Sequence, residues 1–71
     1  MAVFASAAMS LRKQIIMDAL KRSGATNPET AKTLAEAGVQ NPDLFPEFTR
    51  QLEDFGFLNR TKDGKYWIDG D

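Results

Sequence analysis

Leu52-Glu53-Asp54-Phe55-Gly56-Phe57-Leu58, followed by Arg60, Gly64, Lys65 and Tyr66, is the stretch on which the fold turns. A leucine, two acids, an aromatic and a glycine read as the last turn of an amphipathic helix and its stop, because a left-handed terminal residue costs glycine little. The chain beyond Gly56 is strand-like. Two short runs ending at Arg60 and starting at Tyr66 flank Lys62-Asp63-Gly64, which signals a hairpin. Two registers compete. A two-residue Asp63-Gly64 turn pairs Thr61 with Tyr66, whereas a type I turn over Thr61 to Gly64 with a bulge pairs Leu58 with Ile68. The second is preferred, since it puts Leu58 and Ile68 together on the core face and turns Asn59 and Trp67 outward.

Upstream, Phe45, Phe48, Leu52 and Phe55 recur at helical spacing and predict the buried stripe of a helix, supported by Leu44. Asp43 as N-cap places Pro46 at the third helical position, where a missing N–H does no harm. Glu47, Thr49, Arg50, Gln51 and Asp54 occupy the opposite face. Before it, Thr26-Asn27-Pro28-Glu29 opens another helix, capped either by Thr26 in a box with Glu29 or by Asn27 ahead of Pro28. That helix is expected over about Pro28 to Ala37, with Ala31, Leu34 and Ala35 as a narrow apolar face and Gly38 as its stop. The first helix is expected from Ser10, as N-cap, to Arg22, with Leu11, Ile15, Ile16, Ala19 and Leu20 inward and Gly24 ending it. Phe4, Ala8, Leu11 and Ile15 also share one face, so residues 1–9 are read either as an added helical turn or two or as a frayed tail. Residues 10–69 then form one domain and 70–71 a polar tail.

Helix, short helix, longer helix and hairpin, with the motif quoted above, resembles the winged helix-turn-helix superfamily over about Ser10 to Asp69. The resemblance implies an α+β, mainly α fold: a three-helix bundle whose open end is covered by a C-terminal β-hairpin wing. It implies duplex DNA as partner, contacted by helix three and the wing, in a regulatory role. One departure is physical. The link Val39-Gln40-Asn41-Pro42 is longer than a tight helix–helix turn, and Asp43 and Glu47 put carboxylates where phosphates approach. The same architecture also serves protein–protein interaction, the alternative reading.

Composition bounds these expectations. The chain has 71 residues, net charge −1, and neither His nor Cys. That removes the commonest general base, thiolate chemistry and the commonest zinc ligands, and makes an enzyme or a bound cofactor unexpected. A chain this size has a small core and gains by pairing with another copy or another protein. No basic start precedes the apolar residues 1–9, and nine residues are too few to span a bilayer, so a cytoplasmic protein without a membrane partner is expected.

The candidate DNA-contacting residues are Lys32, Thr49, Arg50, Gln51, Arg60, Lys62 and Lys65. Arg50 and Gln51 have the geometry for paired hydrogen bonds to base edges, and the hairpin-tip cations suit a phosphate backbone. The bland alternatives are a solvated helix face, with Arg50 held by Glu47 or Asp54, and a lysine-guarded strand edge. Arg12, Lys13, Lys21 and Arg22 read as a solvated face of helix one more readily than as phosphate contacts. Phe4 and Trp67, if exposed, mark a partner surface. Asp43 and Glu47 stand four apart but lack further ligands for a cation, and Glu53 and Asp54 point apart, so neither pair is assigned chemistry.

Overall fold

The computed structural model describes residues 7–69. The order is helix α1 (Ala7–Arg22), a 3-10 turn (Pro28–Thr30), helix α2 (Pro46–Asp54) and the strands β1 (Asn59–Arg60) and β2 (Tyr66–Trp67). The class is α+β and mainly helical. Only two α-helices form among the described residues, so the expected three-helix bundle is corrected.

Helix α1 already includes Ala7 to Met9, so Ser10 lies inside it rather than capping it. Its buried stripe is also rotated from the expected one. Ile16, Ala19 and Leu20 are buried, as expected, but Leu11 and Ile15 are exposed and Arg12 is buried in their place. Positions 12, 16, 19 and 20 share one face as well as 8, 11 and 15 do, and the fold buries the first set.

The segment predicted as helix two breaks into three pieces. Asn27 caps the 3-10 turn, its side chain accepting from the N–H groups of Glu29 and Thr30. The chain then extends, and Lys32 pairs with Tyr66 in both directions, N–H to O, at 2.9 and 2.7 Å. A single turn comes next. The Glu36 N–H donates to Thr33 Oγ1, and the Thr33 N–H donates back to Glu36 Oε1, a reciprocal capping box. The turn closes at Gly38, whose φ of +93° lets the Val39 N–H reach the Leu34 carbonyl. The physical reason is competition. Thr30 and Thr33 cap rather than continue a helix, and the narrow Ala31/Leu34/Ala35 face offers too little burial to override them.

Helix α2 starts three residues after the expected cap. A turn closed by the Leu44 N–H on the Asn41 carbonyl occupies the Asp43 region, and Phe45, with φ 55° and ψ 59°, stands at the N-cap without a side-chain bond. Pro46 is therefore at the first helical position, where its fixed φ fits and no N–H is needed. The predicted stripe shifts accordingly. Phe48 and Leu52 are buried, but Leu44, Phe45 and Phe55 are exposed, and Thr49 goes inward instead.

The hairpin adopts the preferred register. Asn59 pairs with Trp67 and Arg60 with Tyr66, which carries Leu58 opposite Ile68, and both are buried. Gly64, at φ +83°, takes the left-handed place after Lys62-Asp63, and the Thr61 N–H closes on Lys65 O at 2.8 Å. Strand β2 is bonded on its other side too, through Lys32 and through the Ile68 N–H to Ala25 O. The hairpin is thus anchored to the segment between the helices. Ile16, Leu20, Leu52 and Leu58 are the largest fully buried side chains among the described residues, so both helices and the hairpin share one core. No helix among the described residues is long and apolar enough to cross a membrane.

Candidate interaction surface

Two surfaces compete for a functional role. The first is the one the sequence points to, α2 with the hairpin. Arg50 and Gln51 are exposed on α2, and Lys62 is exposed at the hairpin tip. Thr49 is not available: it is buried, and its hydroxyl donates to the Phe45 carbonyl at 3.3 Å. Arg60 is committed as well. Its Nε donates to Glu53 Oε1 at 3.2 Å, a pair joining β1 to α2. Lys32 and Lys65 are half-buried, with backbones engaged in the Tyr66 pairing and the hairpin closure.

The charges on this face alternate in sign. Arg50 and Arg60 border one cleft with Glu53 and Asp54. Helix α2 carries Glu47, Glu53 and Asp54 against a single Arg50. Asp43 lines the neighbouring cleft between the Thr33–Ala35 turn and Gly64. At the tip, Asp63 accepts from the Thr61 hydroxyl, which holds its carboxyl below the usual range. The alternative in which Arg50 is held by Glu47 or Asp54 is not seen among the described residues. Of the candidate residues, Arg50 and Arg60 therefore meet at one cleft, and the acids beside them keep it from being a continuous positive face.

The second surface was not read from the sequence. Ala8, Leu11 and Ile15 of α1 face Leu44 and Phe45 across an open groove of about 440 Å³, floored in part by Arg12, Gln40 and Asn41. Leu11 is 62% exposed, and Ile15, Leu44 and Phe45 are each above 40%. The Arg12 guanidinium crosses beneath the loop, its Nη1 donating to Gln40 O at 3.1 Å and its Nη2 to Asn41 O at 2.9 Å. Nη2 also reaches Leu44 O at 3.4 Å. Burial lowers the Arg12 pKa from its ordinary value, since the charged form has lost water. Placing Arg12 on a solvated face is corrected by this burial. The available signal was that Arg12 stands four before Ile16, on the stripe that is buried.

Trp67, offered as an exposed partner residue, is half-buried and packs on the core, so it is not a free anchor. Phe4 lies outside the described residues. Lys13, on α1, sits with its Nζ 4.3 Å from the Phe57 ring centroid, which ties the start of the hairpin to α1. No three potential metal ligands converge among the described residues. No protein-family model matches the chain, and no curated protein or solved structure matches it significantly.

Proposed function

We propose that this chain is a small protein-docking module of winged-helix type, which binds a partner protein through the groove between α1 and the loop preceding α2. The observation that carries this reading is the exposure of Leu11, Ile15, Leu44 and Phe45 together on one concave surface. Scattered surface leucines are ordinary, but four large apolar side chains around one groove are the mark of a contact surface. The charge arrangement on α2 and the hairpin points the same way. A duplex-binding face needs cations free to replace counterions, and Glu53 already holds Arg60 while Asp43, Glu47 and Asp54 interrupt the rest.

The second reading is duplex DNA binding through α2 and the hairpin. Exposed Arg50, Gln51 and Lys62, on elements bridged by the Arg60–Glu53 pair, favour it. Titration of a labelled mixed-sequence duplex at two salt concentrations separates the two. The docking reading expects no salt-sensitive association. Micromolar or tighter binding that weakens with salt, and that Lys62→Glu with Lys65→Glu abolishes, would overturn it in favour of DNA.

A further inference from the structure

We infer that the groove takes an acidic amphipathic segment of a partner protein, its apolar side chains against Leu11, Ile15, Leu44 and Phe45 and a carboxylate directed toward Arg12. This rests on the docking reading and adds the chemistry of the partner. Arg12 is only 6% exposed. Its hydrogen-bond acceptors are backbone carbonyls, which carry dipoles but no net charge. No carboxylate lies within ion-pair distance of it among the described residues. Its Nε has no partner and is shielded from solvent. A buried guanidinium of this kind is an uncompensated positive charge in a low-dielectric wall.

Among the described residues, the rest of the lining supplies nothing negative. It consists of apolar side chains and the two amides Gln40 and Asn41. An acidic segment therefore gains twice, by covering apolar surface and by placing its charge near Arg12, the one charged side chain among the described lining residues. A basic segment gains the first and loses the second. Because Nε is shielded, the attraction is one of charge across the groove floor and needs no hydrogen bond to that atom. Phe45 adds a second support. It holds a left-handed backbone that bulky residues avoid, and the residue is over 40% exposed where it lines the groove. A docked segment would cover this exposed side chain. The mode is helix-in-groove recognition, with apolar anchors at helical spacing.

The test is a selection, with the intact chain as bait, from a displayed library of short helix-forming peptides randomised on one face. Retained peptides should carry large apolar residues at helical spacing together with Asp or Glu. Synthetic copies with the acids changed to Lys should bind roughly tenfold more weakly or worse by fluorescence anisotropy. Leu11→Glu and Ile15→Glu should lose binding while keeping the circular dichroism of the parent, since both side chains are exposed. Retained peptides that are basic, or indifferent to charge, overturn the acidic partner but leave the docking reading standing. Binding that Leu11→Glu does not change places the contact elsewhere and overturns the groove. If no peptide is retained and sedimentation shows a dimer that Ile15→Glu dissociates, a second copy is the occupant and the proposal fails. If no peptide is retained and the chain is a monomer, the proposal and the docking reading fail together.

Discussion

Arg12 and Asn41, 29 positions apart in the chain, are joined by a 2.9 Å hydrogen bond from the guanidinium Nη2 to the backbone carbonyl. With the bonds to Gln40 and Leu44 it fixes the loop that leads into α2. Removing the guanidinium leaves those part-buried carbonyls without their donor. Arg12→Met is therefore expected to destabilise the fold by about 2–3 kcal/mol, read by urea denaturation. Arg12→Lys should recover only part of that, because a single ammonium does not span the same carbonyls. Stability unchanged in Arg12→Met would contradict the arrangement.

Burial on α2 separates two positions of the same predicted stripe. Leu52 is fully buried and Phe55 is 56% exposed. Leu52→Ala is expected to cost about 2–5 kcal/mol by loss of burial and creation of a cavity. Phe55→Ala should cost less than about 1 kcal/mol. Thermal unfolding of the two variants side by side checks the helix phase, and equal losses would refute it.

Gly64 holds φ +83° at the hairpin tip, and a Cβ there meets nothing within 4 Å. Only backbone strain opposes substitution. Gly64→Ala should therefore destabilise by about 1–2 kcal/mol, and Gly64→Asn by less, since Asn tolerates the left-handed region. A Gly64→Ala chain as stable as the parent would count against this turn.

Acid should loosen two local turns. The Glu36 carboxyl lies below its ordinary pKa, chiefly because the Thr33 backbone N–H donates to it. Asp63 lies below its own, chiefly through the Thr61 hydroxyl. Each contributes stability above its unfolded pKa, and the contribution is lost as pH falls through the depressed folded value. NMR titration should show both carboxyls taking up protons at lower pH than in an unfolded reference, with the Thr33–Gly38 turn and the hairpin tip loosening in step. Titration at or above the reference values would show that neither turn draws stability from its carboxylate. Thr33→Ala, which deletes one half of the capping box, should cost about 1 kcal/mol.

Local chemistry made much of the chain legible from sequence. Glycine after a helical run, Asn-Pro at a turn start and Asp-Gly between strand-forming residues each act within a few residues, so the C-terminal ends of α1 and α2 and the preferred hairpin register were legible in the chain, and Asn27 was one of the two caps read there. The Thr33/Glu36 box was missed: its Thr-x-x-Glu spacing is in the sequence, but it stands inside the stretch read as one helix. What the chain could not decide was which of two available stripes on α1 faces inward, or which residue at the start of α2 ends the preceding loop. Those choices belong to the tertiary structure, because they depend on what packs opposite. The core fits against Ile16 and Leu20, the loop carbonyls need a donor at Arg12, and Leu11, Ile15, Leu44 and Phe45 are consequently left around a groove.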